Sequence, residues 1–98
     1  MNAEKYLAKL LFTTKLRLRF YEKMSRYLSN GIPVSFALNE LYDFTTERGK
    51  KESTTSIVVR YVLRSVRNGL SFSEALTPWV PSDELSILAA GEHAGKLS

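Results

Sequence analysis

Apolar and polar positions recur with a helical period along most of the chain. Ala3, Tyr6, Leu7, Leu10 and Leu11 return three and four apart, which predicts an amphipathic helix over about residues 3–12. Asn2 suits its N-cap. Leu16, Phe20, Met24, Tyr27 and Leu28 share one face of a second helix, over about residues 14–29, with basic residues between them. Asn30-Gly31 ends it, because glycine takes the left-handed C′ conformation without strain. Pro33 then fits the first turn of a third helix, where its missing N–H is not needed. Val34, Ala37, Leu38, Leu41 and Tyr42 form the apolar stripe of that helix, which fades near Arg48 and Gly49.

Residues 49–56 read as a polar connector, in which Ser53 or Thr54 can cap the next element. The segment "IVVRYVLRSVRNG" is rich in β-branched residues, which favour strands. Yet Val58, Tyr61, Val62, Ser65 and Val66 fall on one helical face, and the run is longer than a typical strand. It is therefore expected to be a helix that Gly69 closes. "LSFSEA" sets Ser71 and Glu74 three apart, the spacing of a capping box, with Leu70 and Ala75 placed to form a hydrophobic staple. That short helix must end before Pro78. Trp79 is expected to fix the following turn onto the core, with an interface anchor as the alternative. Pro81, Ser82, Asp83 and Glu84 open a last helix, whose acids complement its dipole and whose Leu85, Leu88 and Ala89 face inward. Short connections make successive helices near-antiparallel neighbours. The expected fold is all-α, a compact antiparallel helical bundle of five to six helices.

Composition narrows the function. With 98 residues, 44% of them hydrophobic and 24% charged, the chain suits one small globular domain. The absence of cysteine excludes disulfides and thiolate metal sites. No apolar run reaches the length of a membrane span, and Lys5, Lys9 and Lys15 interrupt any signal-peptide core. The net charge of +4 is concentrated early. Residues 1–28 hold seven basic groups against Glu4 and Glu22, a balance of +5. Lys15, Arg17, Arg19, Lys23 and Arg26 thus form a candidate face for an acidic partner, with a merely solvated helix face as the alternative.

The last ten residues, "AAGEHAGKLS", hold the only histidine. They are not a phosphate loop: three residues separate Gly91 and Gly95 where the motif has four, and Leu97 stands where Ser or Thr is required. One histidine and no cysteine make a zinc site a poor match, since zinc takes three or four ligands that are usually Cys and His. A calcium ion needs only oxygen ligands, so Glu92 remains a metal candidate together with carboxylates from elsewhere. No nucleophile–base pair is evident, so catalysis is not expected. "KLRLRFYEK" interleaves basic and aromatic residues, which leaves a small basic nucleic-acid-binding domain as the alternative function.

Three blocks, in order, resemble the F-domain of the inner-membrane platform proteins of type II secretion and type IV pilus biogenesis. "RFYEKMSRYLSNGIPVSFAL" carries Phe20, Leu28, Gly31, Pro33, Ala37 and Leu38. "GLSFSEAL" carries Gly69, Ser71, Phe72, Ala75 and Leu76. "GEHAGKL" carries Gly91, Glu92, Ala94, Gly95 and Leu97. The resemblance spans about residues 19–98, with 1–18 an N-terminal amphipathic basic segment ahead of it in what is one domain overall. It implies an all-helical cytoplasmic domain of a bacterial inner-membrane protein. Further helices would then lie downstream, including the closing helix of the bundle and the membrane spans. It also implies a role in assembly rather than catalysis, with the assembly ATPase, other inner-membrane components and further copies of the chain as partners. No cofactor is implied beyond a calcium ion held between subunits in a related domain, which keeps Glu92 in view.

Overall fold

The computed structural model describes residues 2–86. Five helices follow in order: α1 (Ala3–Leu11), α2 (Thr14–Ser29), α3 (Val34–Thr46), α4 (Thr54–Arg67) and α5 (Phe72–Leu76). Residues 82–86 are also helical, and no strand occurs among the described residues. The all-helical bundle expected from the sequence is the fold observed.

The starts and stops follow local chemistry. The Asn2 side chain accepts from the Lys5 N–H at 2.8 Å and caps α1. Thr13 caps α2. Ser53 caps α4 in a reciprocal box with Ser56, so the connector is shorter than the pattern suggested. Pro33 is the N-cap of α3 rather than its first-turn residue, because its ψ of 152° is still extended. Both Asn-Gly pairs close helices in the same way. Gly31 (φ 83°) and Gly69 (φ 102°) are left-handed. The N–H groups of Ile32 and Leu70 reach back to the carbonyls of Tyr27 and Ser65, the six-to-one bond of a Schellman motif. α3 stops at Thr46, two residues before Arg48, because Glu47, Arg48 and Gly49 are all left-handed. The buried Thr46 hydroxyl holds this turn, donating to the Tyr42 carbonyl at 2.8 Å and accepting from the Gly49 N–H at 3.0 Å.

α3 packs along α4. α2 lies on α3, while α1 and α5 lie against α4. The core runs through every element: Ala8 and Phe12, Phe20 and Met24, Ala37, Leu38 and Leu41, Val58, Val59 and Val62, Phe72, Ala75 and Leu76, and Trp79. Packing settles the conformation of α4. Each β-branched residue costs at most about 0.7 kcal/mol of helix propensity, whereas full burial of each valine returns about 1.5 kcal/mol or more. Val58, Val59 and Val62 are fully buried, so burial wins.

Two apolar features lie outward. The apolar stripe of α1 does not face the core: Tyr6, Leu7, Leu10 and Leu11 are all more than half exposed, while Ala8 and Phe12 are buried. Ala8, the small residue, is what α1 presents to its neighbours. Leu70 is 44% exposed, although Ala75 beneath the expected staple is buried. Trp79 is buried, as expected of a turn anchor, with its ring 5.5 Å from that of Tyr61. Leu85 packs partly buried against the core. Leu88 and Ala89 lie outside the described residues.

α5 has only five residues, too few to be stable without its ends. Ser71 Oγ accepts from the Glu74 N–H at 3.1 Å, and the Glu74 carboxylate accepts from the Ser71 N–H at 2.8 Å. That backbone bond holds the Glu74 carboxyl below the usual carboxylate range. Ser71→Ala is expected to lower stability by about 1 kcal/mol, seen as a lower urea midpoint with an unchanged m-value. A midpoint equal to that of the parent would show that the cap is dispensable.

Candidate functional site

The five basic residues expected to form a partner face do not act together. Lys15 and Arg19 are exposed and have no carboxylate partner among the described residues. Lys23 lies with its ammonium 4.0 Å from the ring centroid of the exposed Phe44. Arg26 pairs with Glu22 one turn back, at 3.0 Å and with both side chains two-thirds exposed; such a pair contributes little to stability but does occupy the charge.

Arg17 is turned inward, a correction to the expected face. Its Nη1 donates to the Phe12 carbonyl at 2.7 Å, and its Nη2 donates to Thr14 Oγ1 at 3.0 Å. Its Nε donates to Glu84 Oε1 at 3.0 Å. The Tyr21 hydroxyl donates to the same Glu84 oxygen at 2.6 Å. Partial burial pushes the Glu84 carboxyl up, but the hydrogen bonds from Arg17 and Tyr21 and the guanidinium charge outweigh it and hold the group below the usual carboxylate range. Burial, reinforced by the bond to Glu84, drives the Tyr21 phenol well above its ordinary value. Glu84, expected to complement a helix dipole, instead ties residues 82–86 to the start of α2. This clasp is a structural joint with no free charge to offer a partner.

The residues of the three sequence blocks are likewise structural where they are described. Phe20, Ala37, Leu38, Ala75 and Leu76 are buried. Gly31 and Gly69 form the two helix stops, Pro33 and Ser71 the two starts that follow them. Gly91, Glu92, Gly95 and Leu97 lie outside the described residues, and with them the calcium candidate. Among the described residues, no group of three or more His, Asp or Glu side chains is placed to hold a metal ion.

A second basic feature has a clear arrangement. Arg60, Arg64 and Arg67 stand four and three apart on α4 and line a groove of about 460 Å³, with Asn39 and Tyr42 of α3 and Asn68 completing its wall. Arg60 is committed inside the fold, donating to the Glu4 carboxylate of α1. Arg64 and Arg67 are exposed and have no carboxylate partner among the described residues. The sequence carried this signal in "RYVLRSVR", since a spacing of four and three places arginines on one helical stripe. The side chains across the groove are visible only in the fold. A wider groove of about 700 Å³ separates α2 from the end of α3. Its charges are mixed, with Arg19, Lys23 and Lys51 beside Glu22 and Glu47.

The frame is all-helical, its sequence blocks sit in turns and core, and Arg64 and Arg67 of one helix have no carboxylate partner among the described residues. A family model described as Type II secretion system (T2SS), protein F matches residues 20–98, and the chain belongs to that family. No curated protein and no solved structure matches the chain. The match begins at Phe20, yet Ala8 and Phe12 complete the same core and Arg17 grips Glu84. Residues 2–19 are therefore packed as part of the bundle. No helix among the described residues is long and apolar enough to cross a membrane.

Proposed function

We propose that this chain is the cytoplasmic interaction domain of an inner-membrane platform protein of type IV pilus biogenesis or type II secretion, docking the assembly ATPase through the arginine stripe of α4. Membership of the T2SS protein F family supports the system. The single observation that supports the surface is the pair Arg64 and Arg67: exposed, without a carboxylate partner among the described residues, and backed by the polar side chains of Asn39, Asn68 and Tyr42 along one groove. Paired guanidinium groups on a rigid helix suit carboxylates of a partner, which they can bind with two parallel hydrogen bonds each. On this reading the domain carries no catalytic step and no organic cofactor, and other platform subunits share its remaining surface.

The test is titration of the chain with the N-terminal domain of the cognate assembly ATPase at low salt. The variant Arg64→Glu with Arg67→Glu is expected to weaken binding by about tenfold or more, since reversed charges meet like charges across the interface. Lys15→Glu with Arg19→Glu is expected to change it by less than about threefold. Equal affinity for the parent and the α4 variant would remove the arginine stripe from the interface. Absence of binding by the parent would remove the ATPase as partner. Duplex DNA binding with a steep salt dependence would favour the nucleic-acid alternative.

A further inference from the structure

We infer that α1 is an interfacial helix that lies on an anionic lipid surface with its outward apolar stripe. Successive residues turn by about 100° in a helix, so α1 has two distinct sides. Ala8 is buried, and Glu4 on the same side bonds Arg60 and Tyr61 of α4. On the far side stand Tyr6, Leu7 and Leu10, 55%, 54% and 63% exposed, with Leu11 at the flank, 55% exposed. Four large apolar side chains in nine residues thus point away from the core. Single exposed leucines are ordinary, but a contiguous patch of this kind marks a surface that something else covers.

The charges of α1 and of the turn that follows it choose the occupant. Glu4 is the only acid in residues 2–21, and it is neutralised by Arg60. Lys9 is exposed on α1. After the two-residue connection Phe12-Thr13, Lys15 and Arg19 are exposed at the start of α2, with Leu18 between them, 60% exposed. A short helix with an apolar face, cationic flanks and no free acid is the pattern of a helix that lies in the headgroup region. Each lysine near an anionic leaflet raises partitioning roughly fivefold, and the leucines supply the apolar insertion. A second copy of the chain is the poorer match. The stripe amounts to a few hundred Å², short of the roughly 800 Å² that a standard interface removes from each partner. Two such faces would also bring Lys9 of both copies close together, with no free acid on α1 to offset them.

This inference concerns a different surface from the ATPase-docking reading and fails separately from it. The full chain is mixed with vesicles of phosphatidylglycerol and phosphatidylcholine, and with vesicles of phosphatidylcholine alone, and bound protein is measured by sedimentation. Binding to the anionic vesicles is expected, weakened by added salt and at least about fivefold stronger than to the neutral ones. Leu7→Gln with Leu10→Gln is expected to abolish it, while an unchanged thermal melt shows that the fold is intact, since both side chains are exposed. Lys9→Glu with Lys15→Glu is expected to abolish the preference for anionic lipid. Arg64→Glu with Arg67→Glu is the control and should leave vesicle binding within about twofold. No binding of the parent chain, or binding that survives the two leucine substitutions, overturns the inference. So does a concentration-dependent dimer that the leucine substitutions dissolve, because that outcome assigns the stripe to a second copy.

Discussion

Phe20→Ala is expected to cost about 3–5 kcal/mol, the range for truncating a fully buried aromatic ring. Small domains have about 5–15 kcal/mol in total, so the variant should lose a large share of its stability. Phe20 is 1% exposed and sits where three parts of the chain meet. Its ring is edge-on to Phe12 at 6.0 Å, which follows α1, and lies 6.1 Å from Phe72, which opens α5. Removing it deletes the burial of one aromatic ring and leaves a cavity that helices on three sides cannot close together. Phe20→Leu keeps most of the volume and should cost far less, under about 2 kcal/mol. Phe36→Ala is the contrast: that ring is 66% exposed, and the change should stay within about 0.5 kcal/mol. Urea unfolding followed by circular dichroism measures all three. Equal midpoints for Phe20→Ala and Phe36→Ala would refute the packing account.

Glu84→Gln is expected to cost about 2 kcal/mol at pH 7. A fully buried pair that loses one partner costs about 3–5 kcal/mol; here Arg17 and Glu84 retain 13% and 24% exposure, which lets water recover part of the loss. The pH dependence identifies the cause. The folded Glu84 carboxyl is depressed, so its contribution is complete above the unfolded value of about 4.3 and is lost as pH falls through the lower folded value. The parent should therefore lose stability below about pH 4.3, and Glu84→Gln should lose less. At the other end, the folded Tyr21 phenol is raised by burial and by Glu84. The unfolded chain releases that proton near pH 10 while the folded chain keeps it, so stability falls as pH rises above about 10. Tyr21→Phe should flatten that alkaline limb. Identical acid limbs in the parent and Glu84→Gln would show that the clasp does not govern acid unfolding.

The helix frame was readable in the sequence because local chemistry sets it. Asn2 and Ser71 cap the helices they were expected to cap, Ser53 rather than Thr54 caps α4, and Asn30-Gly31 and Gly69 stop theirs, since each acts within a few residues of itself. Periodicity also located the inner faces of α2 and α3, where Phe20, Met24, Ala37, Leu38 and Leu41 are buried, although Leu18, Phe36 and Phe44 stand exposed on their other sides. In α1 it located the helix but not its inner side, because the larger apolar residues lie outward and a single alanine lets the helix approach its neighbours. Size favours the leucines as core; close packing chose Ala8. The fate of Arg17 was hidden for a different reason. Its partner Glu84 is 67 positions away, and nothing in the basic run distinguishes it from Lys15 or Arg19. The candidate surface was half legible. The stripe of Arg60, Arg64 and Arg67 is written in the spacing, but only the fold shows that Glu4 takes the first arginine and leaves the other two.

The seat of Trp79 gives the molecule an intrinsic optical reporter. It is the only tryptophan in the chain. Its indole is 5% exposed and lies against Tyr61 of α4, with the Lys5 ammonium of α1 5.9 Å from its ring. One chromophore therefore senses the seam where α1 and α4 meet the turn after α5. A buried indole emits at shorter wavelength than a wetted one, so the emission maximum registers whether α1 stays docked while the rest of the bundle remains helical. Far-ultraviolet dichroism counts helices and cannot separate those states. The fluorescence of one residue can, without a label.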